Sequence, residues 1–129
     1  MGDRAGGYTV LVVDDSAAVQ RQAAAILGTA GFRVVASGDG YQALAAIVEQ
    51  RPDVVLADTA MPRLDGYQLC ALLRHNPELM HTPVLLLDPS PDLVVRARAG
   101  NAGGSGCLRK PFTAEHLLAG VRDHLPHAA

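Results

Sequence analysis

The sequence predicts an α/β protein: a parallel five-stranded sheet with helices on both faces. Three observations lead there. Short apolar runs are continuous rather than alternating, the pattern of strands covered on both sides. They alternate with segments whose apolar residues recur at helical spacing, between capping residues and glycine or proline. The chain has 129 residues, the length of one domain, and right-handed crossovers leave few ways to wind it.

The elements follow in order. Tyr8–Val13 is the first strand. Ser16 caps a helix that turns Val19, Ala23, Ile26 and Leu27 inward and ends before Gly31. Phe32–Ala36 is the second strand. The next helix runs from about Tyr41 to Gln50, with Leu44, Ile47 and Val48 inward and Pro52 beyond its end. Asp53–Ala57 forms strand three, with Asp58 at its tip. The third helix covers about Gly66 to His75, burying Leu69, Leu72 and Leu73 before Asn76-Pro77. Pro83–Leu87 leads to Asp88 at the end of strand four. A short helix around Asp92–Ala99 is followed by Gly100, Gly103, Gly104 and Gly106 and should stop early or fray, because each glycine costs about 1 kcal/mol inside a helix. Gly106–Arg109 is a brief fifth strand. Thr113 caps the last helix, with Leu117, Leu118, Val121 and Leu125 inward. The expected domain spans 8–125, with flexible termini at 1–7 and 126–129.

Composition narrows the function. Hydrophobic residues make up 49% and the formal net charge is −2, so the chain should fold and has no basic field for nucleic acid or anionic membrane. No stretch approaches a membrane span, and no address signal stands at the N-terminus. Cys70 and Cys107 stand apart, outside any zinc spacing, which fits a reducing, cytoplasmic setting. The five histidines also lack metal spacing, and solvated positions are expected for them. Ten of the eleven basic residues are arginine, and Lys110 is the sole lysine. Such a position suggests a site where a guanidinium would not serve.

The chemistry gathers where strands end. In sheets of this class, ligands sit outside the carboxyl ends of the strands. Strand one ends in Asp14-Asp15, strand three in Asp58, strand four in Asp88 and strand five in Arg109-Lys110-Pro111. Each aspartate alone reads as a turn or cap residue. Brought to one rim, the carboxylates repel and demand a cation. Hard oxygen donors of this kind suit Mg²⁺. A lysine beside them offers a point charge for a phosphoryl group, and an aspartate can be the nucleophile that accepts it.

The stretches VLVVDDS at 10–16, VVLADTAMPRLDGYQLC at 54–70 and KPF at 110–112 resemble the receiver domain of bacterial two-component response regulators, over nearly the whole chain. MPRLDGYQLCALLRHNPE and KPFTAEHLLAGV look most like stand-alone receivers of chemotaxis-like systems that govern type IV pilus twitching motility. The resemblance implies a flavodoxin-like three-layer fold with strand order 2-1-3-4-5. It implies that Asp58 is the phosphoacceptor and that Asp14, Asp15, Asp58 and the Ala60 carbonyl hold Mg²⁺. Lys110 would pair with Asp58 and then with phosphoryl oxygens, and the Lys110-Pro111 bond would be cis. The partners implied are a histidine kinase or phosphotransfer protein and a downstream protein. With no output domain following, that protein would dock on the face of helix four, strand five and helix five.

Two positions depart from the family pattern. Asp88 stands where Ser or Thr is usual, and Cys107 where Tyr or Phe is usual. A carboxylate about 4 Å from an aspartyl phosphate would cost about 4 kcal/mol at an effective dielectric near 20. Asp88 could instead pair with Lys110, cap helix four or point away, and Pro89 would stiffen the loop that follows. Cys107 reads as a small buried apolar residue, and Cys70 as core. The expected function is therefore a receiver with atypical activation. One alternative is a degenerate receiver acting as a phosphorylation-independent adaptor. A more distant one is an aspartyl-phosphate phosphatase, which would want a second aspartate at the position of Ser16.

Overall fold

The computed structural model describes residues 7–126. Apart from Gly7 and Pro126, the termini expected to be flexible lie outside the described residues. Strands and helices alternate without exception: β1 (Thr9–Val13), α1 (Ala17–Thr29), β2 (Arg33–Ser37), α2 (Gly40–Gln50), β3 (Val54–Asp58), α3 (Gly66–Arg74), β4 (Val84–Asp88), α4 (Leu93–Asn101), β5 (Gly106–Arg109) and α5 (Ala114–Asp123). All pairings are parallel, in the order β2-β1-β3-β4-β5. This is the flavodoxin-like order anticipated above.

Strand alternation sends successive side chains to opposite faces. In β1, Val10 and Val12 join Leu27, Phe32, Leu117 and Val121 beneath α1 and α5. Leu11 and Val13 join Ile47, Leu69, Leu73 and Ala99 beneath α2, α3 and α4. The central strands β1 and β3 are buried throughout, whereas the edge strand β2 is partly exposed. That explains why the central runs are continuous in sequence.

Each helix opens on a side-chain cap: Ser16, Asp39, Asp65, Asp92 and Thr113 each accept a backbone N–H three residues on. These caps satisfy amides that a helix start leaves without partners.

The packing departs from expectation in several places. Val48 and Leu72 are exposed, not inward. The buried face of α2 runs through Gly40, Ala43 and Ile47, and that of α3 through Gly66, Leu69, Cys70 and Leu73. At 100° per residue, the neighbouring apolar position faces solvent. Helix α4 does not stop at Ala99 but continues through Gly100 to Asn101. Gly100 has nothing within 4 Å of a hypothetical Cβ, so it fills no packing need; burial of Ala99 and half-burial of Val95 hold the helix on the sheet instead. Cys107 is half-buried rather than buried. His124, expected in solvent, is partly buried: its ring bridges the Gly120 carbonyl at 2.8 Å and the Ser105 carbonyl at 3.2 Å.

Candidate phosphoacceptor and metal site

The rim at the carboxyl end of the sheet assembles from three loops. Asp14 follows β1, and its backbone N–H still pairs with Ser37 of β2. Its carboxylate is fully buried. One oxygen accepts the Ser16 N–H at 2.9 Å and the other the Lys110 Nζ at 2.9 Å, while Gln20 donates to its carbonyl at 2.7 Å. Asp14 is therefore fixed on every side. Asp15, the next residue, is exposed. Asp58 ends β3 and is buried; its Oδ1 accepts Lys110 Nζ at 3.1 Å. Lys110 leaves β5 with its N–H on the Asp88 carbonyl at 2.9 Å, and its bond to Pro111 is cis.

One oxygen from each of Asp14, Asp15 and Asp58 lies within 4.8 Å of the others. One ammonium faces these three carboxylates, so the cup carries excess negative charge. Burial pushes the Asp58 carboxyl above its ordinary range; the Lys110 hydrogen bond opposes this and the Asp14 charge adds to it. Burial alone would lower the Lys110 pKa, but hydrogen bonds to Asp14 and Asp58 hold it above the ordinary value. Lys110 is thus a charged bridge between two carboxylates that burial has placed side by side. The donor set fits Mg²⁺: three hard carboxylates, two buried and one open to solvent, with more negative charge than one lysine can balance.

Residues 10–122 match the response regulator receiver domain family. The chain belongs to that family. As a receiver it is a phosphoacceptor signalling module of two-component signalling rather than a conventional enzyme. It is 38% identical to Protein PilG of Pseudomonas aeruginosa over 98% of this chain and 93% of PilG. It is 39% identical to the response regulator MprA of a Mycobacterium species over 88% of this chain, and spans about half of MprA, 48%. Among solved structures, the chemotaxis protein CheY4 of Vibrio cholerae matches with a TM-score of 0.88 and 31% identity, over 92% of this chain and 98% of CheY4. Ser16, where a phosphatase would want an aspartate, instead caps α1 of this receiver. No described helix is long and apolar enough to cross a membrane.

Asp88 and Cys107 both lie on the α3/α4 side of the receiver sheet. Asp88 neither pairs with Lys110 nor caps α4, whose cap is Asp92. It accepts the Thr59 hydroxyl on Oδ1 and the Ser90 N–H on Oδ2 at 2.8 Å. Cys107 lies opposite Leu86 in the sheet, and burial raises its thiol pKa, so it is not poised as a thiolate. Sequence reasoning missed Thr59. It also missed Tyr67 of α3, a buried ring near Asp88 and Cys107 that carries the Arg98 guanidinium of α4 at 4.1 Å from its centroid. The signal for Thr59 was available: β3 and β4 pair in register, and alternation sends Thr59 to the side of Asp88.

Gly66 opens α3 directly under the acceptor. A Cβ there would lie 2.6 Å from the Asp58 carbonyl oxygen and 2.9 Å from that of Ala57. Both are backbone atoms, so β3 itself would have to move. Gly66→Ala should cost about 3 kcal/mol, at the upper end of ordinary overpacking. Urea unfolding should show it as a lower midpoint.

Proposed function

We propose that Asp58 accepts a phosphoryl group from the phosphohistidine of a histidine kinase or phosphotransfer protein. The P–N bond breaks as a carboxylate oxygen of Asp58 bonds to phosphorus, and the imidazole nitrogen leaves with the bonding pair. The observation that carries this reading is Lys110 Nζ, bridging buried Asp14 and Asp58 at 2.9 and 3.1 Å. Its charge stands beside the attacking carboxylate, where incoming phosphoryl oxygens need it. Asp14, Asp15, Asp58 and the Ala60 carbonyl would hold Mg²⁺, which supplies neutralising charge for those oxygens when bound. Asp14, locked by Ser16 and Gln20, orients the lysine. Likeness to a chemotaxis protein along nearly its full length supports a chemotaxis-like role, and the stretches at 61–78 and 110–121 favour one of the pilus-motility kind. Output would then pass through the α4-β5-α5 face.

Activation is atypical in this reading. Asp88 presents a carboxylate where the usual hydroxyl would donate to the phosphoryl group, and an ionised carboxylate donates nothing. Cys107 has no ring to swing inward. The second reading, a phosphorylation-independent adaptor, draws its support from the same Asp88. A small phosphodonor with Mg²⁺ tests both. Slow labelling mapped by mass spectrometry to Asp58, and accelerated about tenfold in Asp88→Thr, is the expected result. No labelling of either protein would leave the adaptor. Rapid wild-type labelling unimproved by the substitution would remove the atypical-activation reading.

A further inference from the structure

Among the described residues Asp88, like the exposed Asp15, has no cation in contact at this rim. Its two oxygens are instead satisfied from opposite sides. Ser90, in the loop toward α4, gives a backbone N–H to Oδ2, and Thr59, next to the acceptor, gives its hydroxyl to Oδ1. Thr59 is buried and rigidly placed, because its N–H continues the β3–β4 ladder onto the Leu87 carbonyl at 3.0 Å. The Asp88 charge is felt at Tyr67 and Cys107, on the α3/α4 side of the sheet. Lys110 is engaged elsewhere, although its own N–H lies on the Asp88 carbonyl. Asp88 is the sheet partner of Arg109, the residue before the lysine, and a carboxylate at that position is a candidate partner for the ammonium.

We infer that Thr59 is a positioning residue: its hydroxyl holds the Asp88 carboxylate away from the acidic cup and leaves Lys110 to Asp14 and Asp58. The kinetic side of this inference rests on the phosphoacceptor reading; the metal-binding side does not. Without the hydroxyl, Asp88 Oδ1 loses its donor and is free to turn toward Lys110 or the cup. If it takes Lys110, Asp14 and Asp58 bind a divalent cation without competition. If it enters the cup, it adds negative charge there. Both routes tighten Mg²⁺ binding and slow phosphoryl uptake. A general loosening of the site would weaken both, so the opposed signs identify the device.

The test compares Thr59→Val, which keeps the side chain's shape, with Thr59→Ser, Asp88→Ala and the Thr59→Val/Asp88→Ala double variant. Mg²⁺ affinity is read by titration, and labelling rate with a small phosphodonor. Thr59→Val should bind Mg²⁺ about threefold more tightly and label about fivefold more slowly, the scale of one ordinary net hydrogen bond. Thr59→Ser should match the wild type. In the Asp88→Ala background, Thr59→Val should change neither quantity. If Thr59→Val alone does not fold, the double variant decides, since it buries no orphaned carboxylate. Equal effects with and without Asp88, weaker Mg²⁺ binding in Thr59→Val, or failure of Thr59→Ser to restore the wild-type values would overturn the inference. If the wild type takes no label, the phosphoacceptor reading falls, and the Mg²⁺ titrations still judge Thr59.

Discussion

Asp58→Asn should abolish phosphoryl uptake and at the same time raise the melting temperature measured without Mg²⁺. The amide has no carboxylate oxygen to attack phosphorus, so labelling at this position should vanish. The gain in stability has a separate cause. Asp58 is buried beside Asp14, and burial and that neighbouring charge both make its ionised form unfavourable in the fold. Lys110 offsets only part of this, since it also serves Asp14. Removing one charge should stabilise the receiver by about 1 kcal/mol, a rise of about 4 °C for a domain of this size. The sign with pH is fixed by the same shift. A carboxyl whose folded-state pKa is raised carries its full penalty above that pKa and loses it as pH falls below the unfolded value. The advantage of Asp58→Asn should therefore shrink in acid. Calorimetry at neutral pH and near pH 3, with and without Mg²⁺, reads all of this; a variant less stable than wild type at neutral pH without Mg²⁺ would contradict it.

Lys110→Ala should do the opposite to stability and the same to uptake. It strips the only ammonium from two buried carboxylates that have no other cation in contact among the described residues. Breaking a buried pair by removing one partner typically costs about 3 kcal/mol or more. Much of that loss should return on adding Mg²⁺, which takes over the neutralising charge. The variant should also bind Mg²⁺ more tightly than wild type, because the lysine no longer competes for Asp14 and Asp58. Phosphoryl uptake should fall about a hundredfold, the scale seen when one preorganised donor to developing charge is removed. Lys110→Arg should recover stability better than uptake, since a planar fork cannot replace an ammonium held between Asp14 and Asp58. Thermal melts over a Mg²⁺ series separate the two effects, and a variant whose stability ignored Mg²⁺ would refute the account.

Much of the site was legible before any coordinates. Asp14, Asp15, Asp58 and Lys110 could be placed on one rim because continuous apolar runs fix the strands, and parallel winding sends every strand's carboxyl end the same way. The single lysine among arginines also pointed there. The helix faces were less legible. Val48 and Leu72 are as apolar as their buried neighbours, and only packing against the sheet decides which side of a helix turns in. The end of helix α4 is set for a related reason: intrinsic propensity argues for an early stop, and half-burial of Val95 with burial of Ala99 carries the helix two residues further, to Asn101.

Asp88 marks the boundary between the two kinds of information. Its type and its place at the end of β4 are written in the sequence. The partner of its carboxylate is not. Lys110, the α4 amides and Thr59 were all within reach of the chain, and a choice among them depends on side-chain direction across β3 and β4. Periodicity and charge count are one-dimensional quantities, so they determine which elements form and which groups reach the rim. Hydrogen bonds are short and directional, so only the packed sheet, with its register and its buried neighbours, decides that Lys110 goes to Asp14 and Asp58 and that Thr59 goes to Asp88.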